Sequence, residues 1–487
     1  MFLHARRKWE KLIKVILLFF VLIFIASVFY WWGGSSSKGG QAPPIIAKVG
    51  KHRITRNQFA EAVKSTEDRM RMFGMAEGSS SLDMEVIIYE QALADLISNA
   101  QLLEAARKQG IKVSGSEVTG EINAQVDATV QQRIKDNKAK FIRDLNRTGQ
   151  DLDGYKKQLA AAIDKQQMAD QLVRLKLQAA VVGQIKVTDL QVKESFDEYE
   201  APYVRVNLGK TGKEMARTTA QQISEQLKAG LSLDQVKDKL AKDNPDVFVV
   251  AKPGPQRRGS GALPDEVEKA ALAGKVGEVS SPIETPEAFY VVKLTKLESK
   301  LPKDFDQRKD FYQKQVEGRL KGQAWEKYQS EVEKIVKVDI LDKELAGLWD
   351  LRHGKVDEAI ASLQGALENA SGEVDAPPRI HFLLGQLWET KGNVDQAIQE
   401  YDEAIKVSGA APEVEIRIAR LLDNQGKKDI ALARYERAAV DAGDSYTIHL
   451  QLKDAFTAMG QKDLAQKETQ WLQEHESELK NAPFGAF

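Results

Sequence analysis

Tyr203-Val204-Arg205-Val206-Asn207-Leu208 alternates its side chains with a period of two, the signature of a strand. Residues 213–229 place Met215, Ile223 and Leu227 at helical spacings, and a second short helix carries Leu233, Val236 and Leu240 on one face. Val247-Phe248-Val249-Val250 is compact enough for a buried strand. The density of Gly and Pro from Lys252-Pro253-Gly254-Pro255 through Gly259-Ser260-Gly261 predicts an irregular loop, since neither helix nor strand tolerates it. Residues 265–272 then read as a short helix, and 279–283 with 289–294 as a hairpin across 284–288. The stretch 201–298 is thus a small α+β domain with helical arms on both sides, and any catalysis belongs inside it.

Working outward toward the N-terminus, 45–54 reads as a small hairpin and Thr55 as the N-cap of a helix running toward Phe73. Residues 85–109 repeat apolar side chains at Val86, Tyr89, Leu93, Leu96, Ile97, Ala100 and Leu103, with Gly110 as C-cap. The charged stretch 131–140 predicts a helix jutting from the body, and 152–182 a further helix. Residues 15–32 carry no charge and are long enough, at 1.5 Å per residue, to span a bilayer. Arg6, Arg7, Lys8, Lys11 and Lys14 precede this run and only Lys38 closely follows, which predicts a cytoplasmic 1–14 and an extracytoplasmic remainder. Tyr30-Trp31-Trp32, bulky where cleavage needs small residues, argues for an uncleaved anchor rather than a signal peptide; 33–44 is a Gly/Ser tether.

On the other side, 299–340 is a connecting helix, charged from Phe305 to Lys337, and from Leu341 the sequence repeats itself. Gly354, Gly392, Gly426 and Gly460 each close a helix, and five residues later stand Ala359, Ala397, Ala431 and Ala465. Leu363, Tyr401, Tyr435 and Thr469 follow at nine, while Gly347, Gly385, Ala419 and the departing Lys453 precede each turn by seven. This is a tetratricopeptide pattern over 341–480, with a tail at 481–487. Its small residues let paired helices approach closely, its tyrosines fill the groove between neighbours, and such arrays bind proteins on a concave face.

A formal net charge of −1 gives no reason to expect nucleic acid, and a chain with no cysteine has neither a disulfide framework nor a thiolate nucleophile. The histidines of the repeats stand at no metal-ligand spacing, so neither metal nor cofactor is implied. Arg257-Arg258 could meet an anion, though a basic pair on an exposed loop is ordinarily solvated.

The central stretch resembles the parvulin family of peptidyl-prolyl isomerases, most clearly in Leu263-Pro264-Asp265-Glu266-Val267-Glu268-Lys269-Ala270-Ala271, Gly277-Glu278-Val279-Ser280-Ser281-Pro282-Ile283 and Tyr290-Val291-Val292-Lys293-Leu294. The resemblance implies histidines in the first and last strands where this chain has Val206 and Tyr290, and a pocket methionine and phenylalanine where it has Ala262 and Val267. The family's Gly-Gly-x-Leu-Gly segment is missing. A degenerate pocket that binds peptide without catalysis is therefore expected. Lys48-Val49-Gly50-Lys51-His52-Arg53-Ile54-Thr55, residues 102–114 and Ile185-Lys186-Val187-Thr188-Asp189 resemble the SurA, PpiD and PrsA type of secretion chaperone, with 45–200 as the helical chaperone region. In that type the N-terminal helices and the helix after the parvulin domain pack as one peptide-binding body. The fold expected is multidomain and mostly α: a transmembrane helix, a SurA-like helical region, a small α+β parvulin-like domain and a tetratricopeptide solenoid. The function expected is a membrane-anchored extracytoplasmic chaperone for newly secreted polypeptides, with a protein partner on the repeats. The rivals are a working prolyl isomerase and a membrane-bound assembly scaffold.

Overall fold

The computed structural model describes residues 44–72, 81–208, 212–241, 244–370 and 376–479. The expected anchor at 15–32, its flank 1–14, the tether up to residue 43 and the tail 481–487 lie outside the described residues. Among the described residues no helix is long and apolar enough to cross a membrane. The chain divides into two compact units: one holds the residues up to Gly110 and from Val332 onward, the other Ile111–Glu331.

The first unit opens with strands β1 (Ile45–Val49) and β2 (His52–Thr55), paired antiparallel around Gly50, whose φ of +57° suits glycine. Thr55 accepts from the Gln58 backbone N–H and caps α1 (Arg56–Met72), while Ser81 caps α2 (Leu82–Lys108). Ala92, Leu93, Ile97 and Ala106 of α2 are buried, and Phe59 of α1 meets Tyr89 edge-on at 5.3 Å.

In the second unit α3 (Gly115–Thr148) starts from a capping box between Ser114 and Glu117 and leaves helical geometry at Asn137. Residues 131–140 are almost all exposed, so the expected projecting helix is present but broken in its middle. The single helix expected over 152–182 is two, α4 (Leu152–Ala162) and α5 (Lys165–Val182). Ile163 ends one and Asp164 caps the other, accepting from the N–H groups of Gln166 and Gln167 at 2.7 and 2.9 Å. Val118, Ile122 and Val126 of α3 pack on Met168 of α5.

After the short α6 (Asp189–Glu194), β3 (Asp197–Glu200) precedes the expected domain boundary. It runs into β4 (Tyr203–Asn207), α7 (Lys213–Lys228), α8 (Leu233–Val236) with a π turn (Lys237–Ala241), and β5 (Val247–Val250). There follow β6 (Gln256–Arg257), α9 (Asp265–Ala273), β7 (Ile283–Glu284), β8 (Ala288–Val292) and β9 (Lys296–Ser299). They form two sheets, ordered β5-β4-β8-β7 and β6-β3-β9. Two expectations are corrected here. β5 is an edge strand with Phe248 exposed rather than a buried one, and the Gly/Pro loop contains β6, which pairs with β3 through Glu198 and Tyr199. α10 (Lys309–Ile335) begins later than expected, with Phe305 folded ahead of it onto Phe196, Val187, Val192 and Val316.

The chain then returns to the first unit. Residues 338–340, expected to continue a helix, form β10 (Val338–Ile340) on the free side of β1, giving the order β10-β1-β2. Four helix pairs follow: α11 (Lys343–Arg352) with α12 (Val356–Ala370), α13 (Pro378–Thr390) with α14 (Val394–Ser408), α15 (Pro412–Asn424) with α16 (Lys428–Asp441), and α17 (Tyr446–Ala458) with α18 (Lys462–Leu479). Pro378 and Pro412 stand at first turns, where a missing N–H costs nothing. The expected helical region 45–200 is therefore shared out: α1 and α2 fold with the repeats, and α3 to α5 with the α+β domain.

Candidate functional site

The β5-β4-β8-β7 sheet has two faces, and its register decides which side chains can meet. Val204, Val206, Phe289 and Val291 face α7, in one core with Ala216, Ala220, Ile223 and Leu227. Tyr203, Tyr290 and Val292 face the other way, against Val267 and Ala271 of α9 and against Leu263. On this second face Arg205 stands opposite Tyr290, and a cavity of about 450 Å³ opens between Arg205, Asn207, Asp246, Glu287 and Tyr290. That volume is in the range of small-ligand sites. The Arg205 guanidinium lies 4.9 Å from the Phe248 ring, and its Nε is buried without a hydrogen-bond partner among the described residues. The rings of Tyr203 and Tyr290 are 5.7 Å apart.

Of the four residues expected around the pocket, Val267 and Tyr290 share this face. Val206 does not: it is buried on the α7 side, because one residue along a strand reverses the side chain's direction. Ala262 is exposed. The first-strand position that faces Tyr290 is Arg205, and the alternation of the strand was the signal for it, as the one charged residue between two buried valines. The cavity's lining offers a phenol, a guanidinium, an amide and carboxylates, groups that bind by hydrogen bonds and charge. Behind it Glu268 of α9, largely buried, accepts from Tyr199 Oη at 2.9 Å and from the Gly259 N–H at 2.9 Å, tying β3 and the β6 loop to the helix. Burial, with the Glu268 carboxylate next to it, raises the Tyr199 phenol above its ordinary range, so it stays a donor.

The repeat residues also converge. Gly354, Gly392, Gly426 and Gly460 hold φ between +70° and +76° as helix ends. A Cβ on Gly347 would stand 2.5 Å from Leu363, and one on Gly385 would stand 2.4 Å from the Tyr401 ring. Ala359, Ala397, Ala419 and Ala431 are fully buried, and Ala465 is partly buried against Tyr435's cluster. Tyr401 donates to Glu389 at 2.9 Å.

No pattern along the chain points to what covers the repeats. The first helices of successive pairs line the inner surface of such a solenoid, and there α2 of the same chain already lies. Arg379 of α13 joins Glu85 of α2 at 2.7 Å to Glu344 of α11 at 3.1 Å and sits 4.2 Å from the Tyr89 ring. Gln386 donates to Asp83 at 3.0 Å, Arg352 pairs with Glu90 at 3.1 Å, and the Leu82 N–H donates to Glu413 of α15 at 3.1 Å. α2 thus touches the first helices of the first three pairs, α11, α13 and α15.

Three families match the chain in sequence: a SurA-like N-terminal domain over residues 1–169, a PPIC-type PPIase domain over 187–310 and a tetratricopeptide repeat over 346–413. The chain therefore carries, in this order, a SurA-like segment, a PPIC-type segment and tetratricopeptide repeats. Among curated relatives, it is 32% identical to foldase protein PrsA of Geobacillus kaustophilus (strain HTA426), covering 39% of this chain and 66% of that one. It is 25% identical to foldase protein PrsA of Clostridium botulinum (strain Loch Maree / Type A3), over 63% of this chain and 90% of that one. The chain thus spans slightly under two thirds of the Geobacillus relative. A solved structure of a peptidylprolyl isomerase (PrsA) from Bacillus anthracis is similar at 21% identity and a TM-score of 0.23, covering 50% of this chain and 95% of that one.

Proposed function

We propose that this protein is a membrane-anchored extracytoplasmic chaperone that holds unfolded secreted polypeptides without changing their covalent or isomeric state. The observation that carries the reading is the cavity beside Tyr290, set in a PPIC-type domain yet lined by neither imidazole nor thiol. Newly translocated chains expose apolar segments that aggregate, and a surface that covers them reversibly suppresses that route. Isomerising a prolyl bond is more demanding, since the amide must lose double-bond character against a barrier of roughly 18–20 kcal/mol. Val206 faces away from the cavity, and Tyr290 supplies one hydroxyl without an imidazole's tautomers. The basic residues before the apolar run 15–32 support the anchor and the orientation. A protein partner of the repeats is assigned to the surface that α2 leaves open, which includes the exposed Val440, Ile430 and Leu450.

The second reading is a working prolyl isomerase, favoured by the Arg205 guanidinium standing opposite Tyr290 in a cavity large enough for a proline ring. One pair of measurements separates the two. The full chain is expected to delay aggregation of an unfolded client while a short proline peptide keeps its uncatalysed exchange over tens of seconds. A rate enhancement abolished by Tyr290→Phe would put the enzyme first. Protease added to spheroplasts is expected to digest the repeats, and their full protection would remove the extracytoplasmic placement.

A further inference from the structure

A second cavity, of about 220 Å³, lies in the Ile111–Glu331 unit where the β6 loop meets α10, walled by Phe196, Tyr312, Arg257, Arg258 and Arg319. The three guanidiniums are not equivalent. Arg258 is neutralised by Glu194 at 3.2 Å and Asp197 at 3.4 Å. Arg257 and Arg319 bond only to carbonyls: Arg257 Nε donates to Ser195 at 3.1 Å and Arg319 Nη1 to Gly259 at 3.3 Å, with no ion pair to either among the described residues. The nearby carboxylates are already engaged. Glu268 accepts from Tyr199 and Gly259, and Asp304 accepts from Tyr312 at 3.0 Å and pairs with Arg308 at 3.3 Å.

Both free guanidiniums are held in place. Arg257 lies 4.6 Å from the Phe196 ring, a stacking contact that fixes its plane. Arg319 lies over Gly259, whose φ is +72° and where a Cβ would come within 2.0 Å of Nη1, so glycine is what admits it. Two like charges positioned around one partly enclosed space, with unused fork donors, fit a carboxylate better than they fit each other. β6 adds a second feature, since it is the edge of the β6-β3-β9 sheet and one side of it is unpaired.

We propose that this cavity binds the side-chain carboxylate of an acidic residue in an extended polypeptide, next to an aromatic or aliphatic residue that packs on Phe196 and Tyr312. The site is separate from the Tyr290 cavity and rests on the polypeptide-holding reading. It gives the chain a preference among unfolded segments that apolar contact alone does not provide.

The test is fluorescence anisotropy of the full chain with two labelled unstructured peptides that differ only in a Phe-Glu or Phe-Gln pair. The Glu peptide is expected to bind about tenfold more tightly at low salt, with the difference shrinking as ionic strength rises. Arg319→Gln and Arg257→Gln should each remove most of that difference, Arg319→Lys part of it for want of the fork, and the exposed Lys314→Gln none. Circular dichroism melts establish that each variant is folded. Equal affinity for the two peptides, or an equal loss of both in the arginine variants, overturns the proposal. Inorganic phosphate binding more tightly than the Glu peptide would assign the cavity to a free anion and overturn it too. If neither peptide binds while client aggregation is still delayed, the acidic site fails and the holding reading stands; if aggregation is not delayed either, the reading itself fails and the site falls with it.

Discussion

Arg205 and Val206 are adjacent, yet one lines a cavity and the other a core, and this difference sets what substitutions can do. Val206→His would bury an imidazole on the α7 face without bringing it near Tyr290, so the change is expected to lower the thermal midpoint and to leave a proline peptide's isomerisation uncatalysed. A gain of catalysis would show the register to be wrong. At Gly385 the Tyr401 ring occupies the space of a Cβ, so Gly385→Ala is expected to cost about 1–3 kcal/mol in chemical denaturation. The exposed Gln399→Ala serves as the control and should cost little. Glu104 makes the fold's stability depend on pH. The Arg107 guanidinium, at 2.9 Å through Nε, outweighs the opposing effect of burial and, with the Lys51 N–H, holds this carboxyl at about 2. Because the folded value lies below the ordinary one, its contribution to stability is complete above about 4.5 and is lost as pH falls from there toward about 2. Thermal melts of Glu104→Gln should therefore start lower at neutral pH and fall less steeply in that window than the unaltered chain; parallel curves would remove Glu104 as a cause.

Among the elements, α2 carries the most consequence. Its alanines and leucines were legible as a buried helix, but not the partner that buries it, since contacts to α11 and α13 lie hundreds of residues away in the chain. Arg379 is the joint: it is nearly buried, and removing it leaves Glu344 and Glu85 unmatched. Arg379→Ala is expected to destabilise the unit that holds α2 and the repeats by about 2–4 kcal/mol, with a weaker salt dependence than a surface pair shows. A loss below about 0.5 kcal/mol in urea denaturation would mean that α2 does not depend on this contact. β10 teaches the same lesson on a smaller scale. Val338-Asp339-Ile340 is too short to announce itself as a strand, and it exists because β1 offers it an unpaired edge.

Over the whole molecule, the compact units cut across the linear order of segments. The unit Ile111–Glu331 contains its own cores, so that segment expressed alone is expected to melt cooperatively. The repeats from Leu341 onward, expressed without residues 44–110, should melt well below their value in the full chain, because α2 no longer covers the first helices. An unchanged midpoint would show the solenoid to be self-sufficient. Local matters are legible along the chain: the helix pairs, from small residues at fixed intervals around Gly354, Gly392, Gly426 and Gly460; the α+β order, from a change of period; and the resemblances those patterns carry. Packing alone settles which faces meet. It set Arg205 rather than Val206 opposite Tyr290, brought Arg319 over Gly259 beside Arg257, and laid α2 on the repeats. The physical reason is that period and propensity act between neighbours in the chain, whereas a cavity or an interface is fixed by register and by pairs of distant surfaces that find each other only when the chain is packed.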